Sequence, residues 1–254
     1  MKKILLASLA VLMAFTSCKK DETLRYNNIT MGNIDGECIV SDQGNTFEIT
    51  EGLTNLDMSK FEYGRVILAC DVLKKTGENT YSIRLNDIAS VLAKDPVNES
   101  EIKPEDDINV DDPLYIKNIW YGGGYINMLL EFAVKEGSDT KHLINLVYNG
   151  ATDTEEGLKN YTFTLRHNAF GDVASEETAD QYRISGGYVS FPVAEMIEGD
   201  EAAITLNWHS YARENGWYSI YSSEAKNKTF DWIRIGYEHP QKNSIVAPSA
   251  VCLR

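Results

Sequence analysis

The sequence predicts an all-β chain of two domains, a small barrel followed by a sandwich of two sheets. Two observations carry this. No long stretch repeats apolar residues at helical spacing, and short apolar or alternating runs are separated by Gly, Asn and Asp clusters, the pattern of strands and turns. An acidic stretch poor in apolar residues, 95–112, with Pro96 and Pro104 inside it and Pro113 directly after, divides the runs into two groups and reads as a linker. Ahead of it, strands are expected at 36–40, 46–50, 64–73 and 80–85, with turns at Asp42-Gln43-Gly44-Asn45 and Thr76-Gly77-Glu78-Asn79. A short helix or strand is expected around 88–92. Four or five strands suit a small barrel. Beyond Pro113 the aromatic content rises, and all four Trp lie there. Runs at 114–120, 125–134, 142–148, 160–166, 187–192, 202–209, 216–221 and 230–235 suggest a two-sheet sandwich.

The first residues have a different character. Met1-Lys2-Lys3 precedes an apolar run over 4–15, then Thr16-Ser17-Cys18. A positive start, a short apolar run and small residues before a cleavage point define a secretory signal. The run is too short to span a bilayer, which takes about 20 apolar residues. Phe15, two small residues and then Cys18 look like the lipobox cut by the prolipoprotein signal peptidase, so residues 1–17 read as signal peptide and Cys18 as the acylated N-terminus. The expected partner of that end is a membrane, held through acyl chains that contribute about 0.8 kcal/mol per buried methylene. Lys20, Asp21 and Glu22 are similar to the surface-export signal of Bacteroidetes lipoproteins. The expected location is therefore the outer membrane, with the body facing outward, and 18–33 reads as a tether.

Charge narrows the partners. The formal net charge is −14, and cleavage removes Lys2 and Lys3 to leave −16. Nucleic acids and other polyanions are engaged chiefly by clustered Lys and Arg, so no nucleic-acid partner is expected. Of four cysteines, Cys18 is committed to lipid. Cys38, Cys70 and Cys252 remain, an odd number for an oxidising compartment. Cys38 and Cys70 both sit in strand-like runs, where they either pair or stand as separate core thiols.

Tyr115-Ile116-Lys117-Asn118-Ile119-Trp120-Tyr121-Gly122-Gly123-Gly124-Tyr125-Ile126-Asn127 resembles a motif of NigD-like lipoproteins of Bacteroides and Prevotella relatives. Asp231-Trp232-Ile233-Arg234-Ile235-Gly236-Tyr237 fits the same family. The resemblance implies an OB-like barrel over 34–105 and a β-sandwich over 106–254. It supplies no settled activity. The bacteriocin-associated operon that names the family implies one reading of function, a protective or immunity role beside a secreted toxin.

The residues themselves point away from catalysis. Gly122-Gly123-Gly124 is followed by a strand-like run, whereas a phosphate loop must open a helix; a hairpin or bulge is expected instead. Asp107, Asn109 and Asp111 alternate like the start of a calcium loop, but Asp112 stands where Gly is needed and Asn118 where Glu is needed. No Gly-x-Ser-x-Gly or His-Glu-x-x-His occurs. His142, His167, His209 and His239 share no ligand spacing, and the first and third fall on strand candidates while the other two border turns. Glu155-Glu156, Glu176-Glu177 and Asp200-Glu201 lie in polar turns, where paired acids are solvated unless they face each other across a cleft. The barrel half has few aromatics and more acids than bases, unlike a single-strand binder. No cofactor or metal is expected.

Aromatics offer the one surface of interest. Trp208, Tyr211, Trp217, Tyr218 and Tyr221 gather across an expected hairpin at Asn215-Gly216. In a strand Trp217, Ser219 and Tyr221 share one face, and Tyr218 and Ile220 the other. Both faces cannot be core. Tyr211, Trp217, Tyr218 and Tyr221 are therefore the candidate binding surface, for a glycan or a protein. The expected function is non-enzymatic binding at the surface, with immunity and carbohydrate hydrolysis as the other readings.

Overall fold

A computed structural model describes residues 27–155, 157–199, 201–214 and 217–234. Residues 1–17, read above as a signal peptide, lie outside the described residues, as do Cys18, Lys20, Asp21, Glu22, His239 and Cys252. Five strands close the barrel: β1 (Asn27–Asp35), β2 (Cys38–Ser41), β3 (Thr46–Gly52), β4 (Arg65–Lys75) and β5 (Thr80–Ser90). They run in the order β1-β2-β3-β5-β4, with β4 returning to β1 and only β3 and β5 parallel. This is the five-stranded Greek-key barrel of the OB type. Alternation sets its interior: Val66, Leu68, Cys70 and Val72 of β4 meet Ile39, Phe47, Ile83 and Leu85.

The second domain is a sandwich. Its five-stranded sheet has the order β14-β13-β11-β10-β7 and its four-stranded sheet β6-β12-β9-β8. The strands are β6 (Leu92–Ala93), β7 (Val97–Asn98), β8 (Tyr115–Gly122), β9 (Tyr125–Lys135), β10 (Leu143–Asp153), β11 (Lys159–Asn168), β12 (Tyr182–Pro192), β13 (Glu201–Glu214) and β14 (Trp217–Arg234). Leu114, Ile126, Met128, Leu130, Leu146, Phe163, Phe191, Ile204 and Leu206 pack between the sheets. The barrel rests on the outer face of the smaller sheet: Met31, Ile67 and Val91 meet Trp120 of β8 and Tyr188 of β12.

Three differences from the sequence reading have physical causes. The tether reading of 18–33 overlaps β1, whose polar run splits its apolar side chains between two partners, Ile34 toward the barrel core and Ile29 and Met31 toward the sandwich. The barrel's last strand ends at Ser90, and β6 and β7, within the segment assigned to the barrel, each add a parallel pair to one sandwich sheet. The segment between the barrel and β8 is thus stitched to both sheets. Finally, the two runs expected at 216–221 and 230–235 fall on one long strand, β14 (Trp217–Arg234). Its middle, Ser222 to Lys228, is polar because it forms a sheet edge, where charge discourages pairing with other chains.

Cys38 and Cys70 are separate free thiols. Cys38 pairs with Asp35 of β1, and Cys70 with Asn28 of the same strand. That separation is roughly 20 Å along a strand, against about 7 Å at most between the Cα atoms of a disulfide.

Candidate functional site

The triple glycine makes a two-residue hairpin turn, as its sequence context predicts. Gly122 pairs with Tyr125, and Gly123 and Gly124 take φ of 61° and 83°, the positive values such tight hairpins need. The turn also serves the barrel. A Cβ on Gly123 would lie 2.5 Å from Asp42 Oδ1, so only glycine allows the turn this close to the carboxylate.

Asp42 in turn holds Arg65. Arg65 Nη1 and Nη2 donate to the two Asp42 oxygens at 2.9 and 2.8 Å, a bidentate pair. Nη1 also donates to Asn33 Oδ1 at 3.1 Å, and Nη2 to Asn127 Oδ1 at 2.8 Å. The Tyr125 ring covers the guanidinium at 3.8 Å, and Ser190 Oγ donates to the same Asn127 oxygen at 2.6 Å. Arg65, Asp42 and Asn33 belong to the barrel, while Tyr125, Asn127 and Ser190 belong to the sandwich. Arg65 is 1% exposed. This is a rivet between domains and offers no room to a ligand. Neither charged residue stood out in the sequence.

A second polar cluster lies at the far end of the sandwich. His142 Nδ1 is 2.9 Å from His167 Nε2, and His142 Nε2 is 3.4 Å from Asp172 Oδ2. His167 Nδ1 is 3.2 and 3.3 Å from the main-chain oxygens of Asp112 and Pro113. Phe132 stacks on His142 with ring centres 4.7 Å apart. Burial, reinforced by His142, pushes the His167 imidazole down to about 4. His142 precedes β10 and His167 lies on β11, the reverse of the placement read from the sequence. Nucleophilic catalysis needs an imidazole nitrogen facing a hydroxyl or thiol. Here all four nitrogens face one another, a carboxylate or carbonyls. Among the described residues no group of three or more His, Cys, Asp or Glu is arranged to hold a metal ion. The calcium-like residues are dispersed: Asp107 and Asn109 sit in a single helical turn, and Asp111 faces Arg166 at 3.4 Å.

The aromatic candidates divide. Tyr221 is 43% exposed. Trp217 and Tyr218 are described in backbone only, opening β14 opposite Glu214 and Arg213, which is the expected hairpin. Tyr211 is a correction, for it is buried at 4%. β8 pairs with β9 no further than Tyr115 opposite Glu131. Beyond that point the Ala133 N–H would lack an acceptor, and Tyr211 Oη takes it at 2.9 Å. Alternation also fails nearby, with Ser219 buried and Tyr221 exposed, because the register slips between Tyr211 and Ala212.

What remains is a groove of about 270 Å³ between the two edge strands, β8 and β14. Tyr115 and Ile116 form one wall, and Trp208, Ser210, Arg213, Glu224 and Lys226 the other. Trp208 pairs across the ladder with Lys226, and Ser210 with Glu224, so these four share a face. Lys226 Nζ and Glu224 Oε1 form an ion pair at 2.8 Å. Trp208 packs on the sandwich core, and its indole N–H has no hydrogen-bond partner among the described residues. Of the aromatics gathered in sequence, the structure brings Trp208 to the groove and sends Tyr211 inward.

Fold and site together define a two-domain all-β protein with an OB-type barrel riveted to a sandwich that is open along one side. The model of the NigD-like C-terminal beta sandwich domain matches residues 95–222, half of the chain, and the chain belongs to the NigD-like family. No curated relative matches it. Among solved structures, a protein of unknown function from Bacteroides vulgatus is similar at 22% identity and TM-score 0.59, covering 85% of this chain and 95% of that one. A NigD-like immunity protein from Bacteroides caccae is similar at 16% identity and TM-score 0.54, covering 78% and 90%. These likenesses concern the fold.

Proposed function

We propose that the chain is a lipid-anchored, non-enzymatic binding module of the cell envelope, displayed on the outer membrane, whose ligand sits in the groove between β8 and β14. The observation that carries this is the groove itself. An indole and a phenol face a space edged by Arg213, Glu224 and Lys226, which suits a polar ring such as one sugar residue. Residues 1–22 support the anchor and its outward display. The test is a glycan array probed with the acyl-free protein, followed by titration calorimetry. Tyr115→Ala, Arg213→Ala and Lys226→Ala should each weaken binding about tenfold, the loss of roughly 1.4 kcal/mol, with folding intact by circular dichroism. Uniform failure on the array, with capture of a secreted toxin from the same species, would transfer the assignment to immunity, the role by which the Bacteroides caccae neighbour is named. Turnover of any bound glycan would overturn the non-enzymatic reading.

A further inference from the structure

The buried histidine pair has a hydrogen count that its surroundings dictate. His167 Nδ1 faces two carbonyl oxygens, which only accept, so it carries a hydrogen. The Nε2 of a neutral His167 is then an acceptor, and His142 Nδ1, 2.9 Å away, must donate to it. His142 Nε2 is left facing Asp172 Oδ2 at 3.4 Å. Were His142 neutral and Asp172 ionised, two lone pairs would oppose each other in a site where the side chains are 2% and 5% exposed. One more hydrogen closes the row, either on His142 as an imidazolium or on Asp172 as a carboxylic acid.

We infer that the His142–Asp172 pair is a proton-binding site, and that its single bound proton latches the 169–174 loop to the edge of β9. Asp172 is the loop's tie. Its Oδ1 accepts from the Lys135 N–H at 3.0 Å, at the edge position next after the one that Tyr211 satisfies. Its own N–H donates to Ala169 O at 2.9 Å, and the Ala169 N–H donates to Asp112 Oδ2 at 2.8 Å. At the loop's apex Phe170 is 50% exposed with φ of 51°, a left-handed backbone rare for an aromatic, and Val173 is 40% exposed. Loss of the proton sets the Asp172 carboxylate against the His142 lone pair and frees the segment that carries these two side chains. Other ionisable groups face the cluster from the packed elements: Asp112, from the segment before β8, acts on His167, while Tyr182 of β12 and Tyr211 of β13 face Asp172. Arg166 is turned to Asp111, so no arginine stands in for the proton between His142 and Asp172.

Asp172→Asn separates this idea from a plain structural role. The amide Nδ2 can donate to a neutral His142, and its oxygen can still accept from Lys135, so the variant closes the same row with no added proton. Urea melts of both proteins between about pH 7 and 9, above the ordinary histidine value near 6.5, give the proton count. The wild-type folding constant should fall up to tenfold more per pH unit than that of Asp172→Asn, the slope of one proton taken up on folding. Amide exchange at Lys135 should accelerate with pH beyond the base-catalysed trend in the wild type alone. Equal slopes would overturn the inference. A wild-type measurement stands whether or not the variant folds: isotope-edited NMR at about pH 7.5 should count three ring N–H hydrogens on the two imidazoles, or two with a protonated Asp172. Two with an ionised Asp172 would overturn it.

Discussion

Removing the Arg65 guanidinium should cost the protein about 3–5 kcal/mol, the usual price of breaking a buried ion pair from one side. Arg65→Met keeps much of the volume and takes a donor from four acceptors at once. Both Asp42 oxygens lose their donors, and Asn33 and Asn127 each lose one. The side chains of Arg65 and Asp42 are 1% and 6% exposed, so water does not replace what is lost. Domains of this kind are stable by about 5–15 kcal/mol in total, so the fraction lost is large. The assay is urea unfolding at neutral pH, followed by tryptophan fluorescence, since all four Trp lie in the sandwich half. The midpoint should fall with the slope unchanged unless the domains uncouple, in which case the transition should split. Adding Asp42→Ala to Arg65→Met removes the stranded charge and should restore part of the loss, because an absent pair is less harmful than a broken one. A loss below about 1 kcal/mol for the single variant, the worth of a solvated surface pair, would refute the rivet. So would strict additivity in the double variant.

Three further outcomes follow from the same structure. Gly123→Ala forces a Cβ onto the Asp42 carboxylate at a φ of 61°, and should destabilise by about 1–3 kcal/mol in the same melts; a neutral effect would show that the turn is free to move. In the native protein Cys38, half-buried, should react with iodoacetamide at mildly alkaline pH, while Cys70, its thiol pushed up to about 11 by burial, should stay protected; peptide mapping with and without prior reduction should show no Cys38–Cys70 bridge. His167, pushed down from 6.5 to about 4, is neutral when folded and protonated when unfolded between those values. Its contribution is therefore complete above about pH 6.5 and drains away as pH falls toward 4, by roughly 3 kcal/mol at most. His167→Gln should flatten that part of the stability profile, and an unchanged profile would refute the burial account.

The sequence made some of this legible and hid the rest for identifiable reasons. β4 and β5 show because their alternating apolar side chains serve one core, and the hairpin at Gly123-Gly124 shows because turn chemistry is local. β1 is hidden because its apolar residues serve two cores. β14 is hidden because an edge strand is polar along one side. The rivet is hidden more deeply: Asp42 sits in an ordinary turn sequence and Arg65 opens a strand 23 residues later, and neither type is expected inside. The histidine cluster is hidden because positions 142, 167 and 172 meet only once β10, β11 and the loop after β11 are assembled. Strand periodicity even misleads near the groove, where the slipped register turns Tyr221 outward and Ser219 inward.

The rivet also changes what the most distinctive stretch of the sequence stands for. From Trp120 to Asn127 the side chains on the outer face of the small sheet all point at the barrel: Trp120 into the apolar contact with Met31 and Ile67, Tyr125 over the guanidinium, Asn127 onto it. On the opposite face Tyr121 and Ile126 pack into the sandwich core. Such a stretch is constrained on both faces by packing and at its turn by backbone conformation, so its residues leave no freedom for a changing ligand. The groove faces the opposite demand. It is walled by β8 and β14 at the open side of the sandwich, where Arg213, Glu224 and Lys226 can change without disturbing either core. The stretch that identifies the architecture is thus the part least suited to bind anything, and differences in ligand among proteins of this fold should map to the groove.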